Sequence, residues 1–292
     1  MGIKKWLKQN TTLLSGKNIV ITGATGDLGR ELCLVLASLN ANITLACRNK
    51  SKTKDLISLI NEKFPNVKLN YIELDLSSLQ SVKSFINKVK ETQIDVLICN
   101  AGVYNVPIKK LDSGFNNIFQ INFLYQYYII KKLLPSLRQN KNSKVIAVGS
   151  IAHNYSKIDV KDIDFSTYKK PSKIYGNSKR FLMFSLYELF KNEKTELSIV
   201  HPGITLTNMT NHYPKCINWL VKIGIKLFFP SPKKSVLNYL YGIFNNTFYH
   251  EWIGPKVLNI WGKPKKSILK TCSSQESEEI FKISENIYNM IG

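Results

Sequence analysis

Acidic residues are scarce in this sequence: 20 Asp and Glu stand against 41 Lys and Arg, which gives a formal net charge of +21 over 292 residues. The lysines are spread along the whole chain, and no run of basic residues reaches a block of five or six. Nucleic-acid binders concentrate charge on one face and often use arginine to contact bases. The pattern therefore argues against a specific nucleic-acid site, while the charge favours loose association with phosphates and acidic lipids.

Cysteine is also rare, and the five cysteines have no metal-ligand spacing: Cys33, Cys47, Cys99, Cys216 and Cys272. We therefore expect no metal site, and a reducing cytoplasm is the simplest setting. No run of about 18 apolar residues occurs, so we expect no transmembrane helix. The first residues are basic but lack the apolar stretch of a secretory signal. These absences predict a cytoplasmic protein with at most peripheral membrane contact.

Linkers rich in Gly, Ser or Pro are missing, so the sequence predicts one domain over residues 1–292. Short apolar runs alternate with segments of helical periodicity, and the predicted strands are Asn18–Thr22, Ile43–Cys47, Val67–Leu74, Asp95–Cys99, Lys144–Val148 and Leu197–Val200. This alternation indicates an α/β fold, a Rossmann-type doubly wound parallel sheet with helices on both faces. The alternation is lost after about residue 205, and we expect residues 205–292 to form an appended substrate lid and C-terminal region.

A glycine-rich turn lies directly between the first predicted strand and the first helix, with the sequence Thr22-Gly-Ala-Thr-Gly-Asp-Leu-Gly29. Glycines let the backbone approach a pyrophosphate there, while the helix N-terminus supplies amides and a positive dipole. The turn predicts dinucleotide contacts at Thr22, Gly23, Thr25, Gly26, Asp27, Leu28 and Gly29. A tight turn that only packs the strand on the helix is the alternative.

The second predicted strand ends in Ala46-Cys-Arg48-Asn-Lys50, without the carboxylate that NAD-binding sites usually offer to the ribose. An arginine suits a 2′-phosphate, so the sequence favours NADP(H) over NAD(H). A basic loop in a basic protein is the alternative interpretation. Asp75, after the third strand, is placed either to meet the adenine edge or to cap the helix that begins at Ser77.

Tyr175 and Lys179 stand four residues apart in a segment that reads as helix, so they share one helix face. A free phenol ionises near a pKa of about 10, and a cation about 4 Å away contributes about 4 kcal/mol at an effective dielectric of about 20. Such a pair would bring the tyrosine close to neutrality, where a general acid/base works best. An isolated match is more often a surface lysine beside a half-buried tyrosine, so the interpretation depends on the rest of the chain.

Further motifs follow in a fixed order along the chain: the glycine-rich turn, Leu74-Asp-Leu76, Asn100-Ala-Gly102, Asn122, Ser150, Tyr175-Gly-Asn-Ser-Lys179 and Pro202-Gly203. This ordered set resembles the short-chain dehydrogenase/reductase family over nearly the whole chain. Three segments are similar to its branch of retinol dehydrogenase-like NADPH reductases: Ala46-Cys-Arg-Asn49, Gly149-Ser-Ile-Ala-His153 and His201-Pro-Gly-Ile-Thr-Leu-Thr-Asn208. The glycine spacing departs from it, because Asp27 stands where those reductases usually carry the second glycine.

The resemblance implies a catalytic role for each of four residues. Tyr175 would exchange a proton with the substrate oxygen, and Lys179 would lower the pKa of Tyr175 and hold the nicotinamide ribose. Ser150 would bind and orient the substrate oxygen, while Asn122 would hold a water that relays protons to Lys179. The ordinary alternatives are a helix cap for Ser150 and a helix-interior residue for Asn122. His153, three residues beyond Ser150, is either a substrate-facing or a packing histidine.

The resemblance also implies further cofactor contacts beyond the glycine-rich turn. On the adenosine side these contacts are Arg48, Asp75 and Leu76, and at the end of the fourth strand they are Asn100, Ala101 and Gly102. Near the nicotinamide they are Tyr175, Lys179, Pro202, Gly203, Ile204 and Thr207. The implied activity is an NADP(H)-dependent oxidoreductase that interconverts a ketone or aldehyde and an alcohol by hydride transfer.

Two other functions remain open at this point. A dinucleotide-binding sensor or scaffold without turnover is the main alternative, and the glycine spacing alone favours a sugar-nucleotide epimerase. The expected partner is a small, lipophilic or polar, carbonyl or alcohol substrate. The apolar segment 217–229 fits a substrate lid, an interfacial helix, a dimer contact or a core helix, and the choice between monomer, homodimer and homotetramer stays open.

Overall fold

The computed structural model of the protein describes residues 2–155, 157–168, 170–204 and 230–292. Eight strands form one sheet in the order β3-β2-β1-β4-β5-β6-β7-β8. Their bounds are β1 Asn18–Thr22, β2 Asn42–Cys47, β3 Leu69–Glu73, β4 Val96–Cys99, β5 Lys144–Val148, β6 Glu196–Val200, β7 Glu251–Val257 and β8 Trp261–Ile268. Strands β1 to β7 pair in parallel, and β8 pairs antiparallel with β7. The predicted doubly wound α/β fold is confirmed.

Helices cover both faces of this sheet. In chain order they are α1 Ile3–Asn10, α2 Asp27–Ser38, α3 Lys50–Lys63, α4 Leu79–Val89, α5 Asn117–Phe119, α6 Tyr125–Gln139, α7 Pro171–Leu189, α8 Pro232–Phe244 and α9 Ser274–Ile291. A π-helical turn, Gln120–Leu124, joins α5 to α6, and a 3₁₀ turn, Ile151–Tyr155, follows β5.

The two-sided burial follows from the uninterrupted apolar character of the strands. Successive residues of a strand point to opposite faces, and in β1 Val20 packs into one apolar cluster while Ile19 and Ile21 pack into the other. The first cluster includes Phe85 of α4 and Phe181 of α7, and the second includes residues of α2 and α8. Continuous apolar strands therefore hold the sheet between two helical layers and leave its carboxyl edge for a site.

The described part of the region after residue 205 belongs to the central sheet and its helical layers, whereas the sequence predicted an appended region. Helix α8 and strand β7 continue the parallel pattern, and β8 closes the edge of the same sheet. Pro255 and Pro264 lie within these strands, and β8 carries three lysines, so neither strand reads as an apolar run. Pro264 and the lysines of β8 are tolerated because β8 is an edge strand, where they also discourage pairing with another chain. Pro255 lies in β7 beyond the residues that pair with β6, next to an irregularity in the β7–β8 register. The predicted segment 217–229 lies outside the described residues.

In the part of the chain that the structure describes, no helix has the length and hydropathy needed to cross a membrane. Within the same residues, no three His, Cys, Asp or Glu side chains are grouped so that they could hold a metal ion.

Candidate active site

A cavity of about 420 Å³ opens at the carboxyl edge of the parallel strands. Twelve of the predicted cofactor residues line it: Gly23, Thr25, Gly26, Asp27, Leu28, Gly29, Arg48, Asp75, Leu76, Asn100, Ala101 and Gly102. They come from four separate strand ends, which parallel pairing brings to one edge. The structure thus gathers residues that are up to 79 positions apart in the sequence, as the hydrogen bond from Ala101 N to Thr22 Oγ1 shows directly.

Each of the three glycines of the turn is required for a different structural reason. Gly23 has a φ of +66°, and a Cβ there would lie 2.8 Å from the Cα of Ala101. A Cβ on Gly29 would lie 2.4 Å from the carbonyl oxygen of Gly23. A Cβ on Gly26 would meet only that same oxygen, at 3.4 Å, and Gly26 lines the cavity. Gly23 and Gly29 therefore let the strand, turn and helix pack closely, whereas Gly26 keeps the cavity wall bare for a ligand.

Substituting these glycines by alanine is expected to separate packing from binding. Gly29→Ala forces backbone apart and should lower the free energy of unfolding by about 1–3 kcal/mol, which thermal unfolding measures. Gly26→Ala should leave the melting temperature near that of the parent but weaken binding of the predicted dinucleotide, because the methyl group occupies the cavity wall. Equal melting temperatures for the two variants would contradict this division of roles.

Polar side chains that are buried or half-buried hold the glycine-rich turn against β4. Asn100 Nδ2 donates to the carbonyl oxygens of Thr22 and Gly23, both at 3.1 Å, and Thr22 Oγ1 accepts from Ala101 N at 3.0 Å. Tyr239 of α8 in turn donates its hydroxyl to Asn100 Oδ1 at 2.9 Å. Thr22 is fully buried and braces the turn instead of lining the cavity. Sequence reasoning missed Tyr239, because no motif links α8 to the turn.

Basic and polar residues close one end of the cavity. Arg48, Asn49 and Lys52 line it together, and Asn49 Oδ1 also caps α3 by accepting from Lys52 N at 2.9 Å. The sequence predicted Arg48 as a cofactor contact and gave no signal for Lys52, which the first turn of α3 brings to the same wall. The juxtaposition makes this end of the cavity electropositive.

Asp75 lines the cavity but does not cap the helix that follows. Its Oδ1 accepts from the backbone N and the hydroxyl of Ser77, at 2.9 and 2.7 Å. Helix α4 begins at Leu79 and is capped by Ser78, whose hydroxyl accepts from Ser81 N. Of the two predicted roles, the geometry disagrees with the cap and is compatible with the adenine edge.

Tyr175 and Lys179 lie on one face of α7, as their spacing predicted, beside the carboxyl end of β5. Lys179 is buried, and its Nζ donates to the carbonyl oxygen of Val148 at 2.8 Å and lies 5.8 Å from the centre of the Tyr175 ring. Burial lowers the pKa of Lys179 to about 8. Lys179 is thus a charged group in a desolvated position.

The predicted drop in the Tyr175 pKa is not what this geometry produces. Burial raises the pKa of Tyr175 to about 12, although the hydrogen bond with Ser150 opposes the rise. The Lys179 ammonium is engaged with a backbone carbonyl and approaches the ring, so its stabilisation of the phenolate does not overcome desolvation. Tyr175 is therefore a protonated phenol at neutral pH, suited to act as an acid.

Ser150 and Asn122 lie beside this pair. Ser150 follows β5, and its hydroxyl accepts from Ala152 N at 3.2 Å. Ser150 also lies close enough to Tyr175 to lower the pKa of that phenol. Asn122 lies in the π-helical turn, a local geometry that frequently occurs at functional sites. Its Oδ1 accepts from Val103 N at 2.7 Å and its Nδ2 donates to Val103 O at 2.9 Å. The side-chain amide thus fixes the loop after β4, and the water relay stays a prediction.

The predicted nicotinamide-side segment follows β6. Gly203 has a φ of +85°, and a Cβ there would lie 2.8 Å from the carbonyl oxygen of Ile260, so the segment packs tightly on the β7–β8 hairpin. Pro202 is buried and Ile204 is partly exposed. Thr207 lies outside the described residues.

The model of the short chain dehydrogenase family matches residues 17–216, more than half of the chain. The chain belongs to the short-chain dehydrogenase family. The predicted oxidoreductase class is thereby confirmed. The motifs on which the prediction rests, from Thr22 to Asn208, all lie within the matched residues.

Relatives of this short-chain dehydrogenase confirm the predicted branch. Mouse retinol dehydrogenase 14 is 28% identical over 246 residues, which cover 78% of this chain and 74% of that protein. Human polyprenol dehydrogenase is 29% identical over 237 residues, which cover 76% of this chain and 71% of that protein.

Solved structures share the fold of this short-chain dehydrogenase. An uncharacterised protein from Mycobacterium paratuberculosis superposes with a TM-score of 0.78 at 22% identity, covering 96% of each chain. L-Sorbose reductase from Gluconobacter frateurii, solved with NADPH and L-sorbose, gives a TM-score of 0.62 at 19% identity and covers 80% of this chain and 90% of that one. At these identities the likeness concerns the fold.

Proposed function

We propose that this short-chain dehydrogenase is an NADP(H)-dependent reductase that converts a lipophilic aldehyde or ketone into the alcohol. The observation that carries the proposal is that Ser150 lies close enough to Tyr175 to lower the pKa of its phenol, and that both lie beside the buried Lys179 at the carboxyl edge that also holds the cavity. A dinucleotide sensor without turnover has no need of this arrangement.

The cavity residues fit a dinucleotide phosphate. The bare wall at Gly26 and the N-terminus of α2 suit the pyrophosphate, while Asp75 suits the adenine. Arg48 and Lys52 at the electropositive end suit a 2′-phosphate, which supports NADP(H) over NAD(H). The NADPH bound in L-sorbose reductase agrees with this choice. When bound, the nicotinamide supplies or accepts the hydride.

The chain's own residues would then handle the substrate oxygen and its proton. Ser150 donates a hydrogen bond that orients the carbonyl oxygen, and Tyr175, protonated at neutral pH, gives its phenol proton to the oxygen as the carbonyl is reduced. Lys179 provides a buried positive charge that stabilises the phenolate left on Tyr175.

Aromatic and aliphatic side chains beside Tyr175 support a lipophilic substrate. Tyr104 packs edge-on against Tyr175 with ring centres 5.0 Å apart, and Tyr155 lies close enough to influence the pKa of that phenol. Val103 and Val106 pack in the same cluster. The names of retinol dehydrogenase 14 and polyprenol dehydrogenase are consistent with substrates of this class.

The pH dependence of reduction is expected to report Lys179. The kcat/KM value reflects the free enzyme, in which the pKa of Lys179 is about 8 and that of Tyr175 about 12. Reduction needs Lys179 charged and Tyr175 protonated, so kcat/KM should fall as pH rises above about 8, while Tyr175 stays protonated. A pH–rate profile that stays flat well above that value would contradict the role of Lys179.

Thermal stabilisation tests the cofactor preference without knowledge of the substrate. A ligand that binds only the folded state stabilises it by RT ln(1 + c/Kd) at free ligand concentration c, so at equal concentration the tighter binder raises the melting temperature more. NADP⁺ should raise it by several degrees more than NAD⁺ at the same concentration. Equal stabilisation would contradict the preference, and tightly retained NAD released on denaturation would favour an epimerase instead.

A further inference from the structure

The backbone of the catalytic Ser150 turn is held from behind by a buried histidine. His153 Nδ1 lies 2.6 Å from the carbonyl oxygen of Ser150, and His153 N donates to the same oxygen at 3.2 Å. Because a carbonyl only accepts, Nδ1 carries the proton, and Nε2 accepts from the Thr271 hydroxyl at 2.7 Å. Burial lowers the pKa of His153 to about 4, so the ring is neutral at physiological pH. His153 therefore packs behind the turn and does not face the substrate.

An arginine next to the catalytic lysine completes the arrangement. Arg180 is buried, and its guanidinium donates to the carbonyl oxygens of His153 and Thr271 at 3.1 and 2.8 Å. It also forms a bidentate pair with Glu276 in the first turn of α9, at 2.8 and 2.6 Å. Burial would raise the pKa of the Glu276 carboxyl, but Arg180 outweighs it and the pKa is lowered. The pair is thus charged and desolvated, and its loss would leave a buried charge unpaired.

These four residues, which we call the C-terminal clamp, are His153, Arg180, Thr271 and Glu276. Two of them lie beyond residue 216, where the match to the family model ends. None of the four residues lines the cavity, yet His153 bonds the backbone of the catalytic Ser150 and Arg180 directly follows Lys179 in the sequence.

We propose that the C-terminal clamp holds the backbone of Ser150, and thereby the position of the Ser150 hydroxyl beside Tyr175. The Ser150 carbonyl accepts two hydrogen bonds from His153, and Arg180 joins His153 to Glu276 in the first turn of α9. The clamp therefore makes α9 part of the catalytic apparatus. Its members are positioning residues that act through Ser150. The predicted effect of the clamp on the catalytic rate rests on the proposed reductase function. Its predicted effect on the backbone of residues 150–155 does not depend on that function.

Thr271→Val is the sharpest test, because valine keeps the shape of threonine and removes only the hydroxyl that bonds His153 Nε2. Thr271→Ser restores the hydroxyl and serves as the conservative rescue. Ile287→Val, in the buried face of α9, is the matched control for general destabilisation and should lower Tm by about 2 °C without touching the clamp.

Two measurements are made on the 292-residue chain. The first is amide hydrogen exchange of peptides that cover residues 150–155. The second is kcat and KM with NADPH and with the aldehyde or ketone that the parent reduces fastest. Thr271→Val should speed exchange about fivefold and lower kcat about tenfold, with KM for NADPH within about twofold of the parent. Thr271→Ser and Ile287→Val should stay near the parent in both.

Parental exchange in Thr271→Val would overturn the proposal whatever the turnover. Faster exchange with parental kcat would overturn the link to catalysis and leave the clamp a stability element. If the parent reduces no carbonyl compound, the proposed function fails, while the exchange data still decide whether the clamp holds the turn.

Discussion

Replacing Tyr175 by phenylalanine is expected to lower kcat for carbonyl reduction by about 10²–10⁴-fold, the usual contribution of a positioned general acid. Phenylalanine keeps the ring that packs against Tyr104 and removes only the phenolic hydroxyl. The fold and the cofactor cavity should therefore be retained, because Tyr175 does not line that cavity. Steady-state rates with NADPH, together with the Kd for NADP⁺, measure the effect.

The control for this variant is Tyr241→Phe, which removes a phenolic hydroxyl from α8, on the opposite helical layer. It should leave kcat within about twofold of the parent, since surface substitutions away from special features have small effects. A Tyr175→Phe variant that reduces substrate as fast as Tyr241→Phe would remove Tyr175 from the mechanism and favour a different proton donor.

Replacing Arg48 by glutamine is expected to raise the Kd for NADP⁺ by about 10–100-fold and to leave the Kd for NAD⁺ within about threefold. A hydrogen bond to a charged group contributes about 1.5–3 kcal/mol, which corresponds to this range of affinities. Only NADP⁺ carries the 2′-phosphate that the electropositive end of the cavity would hold. Isothermal titration or fluorescence quenching with both cofactors measures the difference.

Arg30→Gln is the matched control, because it removes the same charge from the exposed face of α2. Arg30 lies outside the cavity lining and within 3.6 Å of Glu31. Its affinity for both cofactors should equal that of the parent. Parallel weakening of NADP⁺ and NAD⁺ by Arg48→Gln would show that Arg48 supports the loop and does not select the cofactor.

The sequence predicted those parts of the fold and site that depend on local patterns. Uninterrupted apolar runs located six strands, and the glycine-rich turn located the cavity, since both signals lie within a few neighbouring residues. The spacing of Tyr175 and Lys179 likewise placed them on one face of α7. Local periodicity is sufficient wherever the backbone conformation alone sets the geometry.

Features that depend on long-range packing could not be predicted in this way. The direction of the Tyr175 pKa shift was wrong, because it follows from burial and from the bond between Lys179 and Val148, neither of which a four-residue spacing encodes. Strands β7 and β8 could not be predicted because prolines and lysines interrupt their apolar residues, so neither has the pattern of a buried strand. The bond from Tyr239 to Asn100 joins residues 139 positions apart, beyond the reach of any motif.

Transfer of deuterium from NADPH labelled at the nicotinamide C4 position tests the proposed function most directly. The parent is incubated with the labelled cofactor and a panel of lipophilic aldehydes and ketones, and the alcohols are analysed by mass spectrometry. We expect a product alcohol that carries one deuterium on its carbinol carbon, formed by the parent and nearly absent with Tyr175→Phe. Labelled cofactor that stays unconsumed with every compound, while NADP⁺ still stabilises the fold, would contradict the reductase and establish a binding protein.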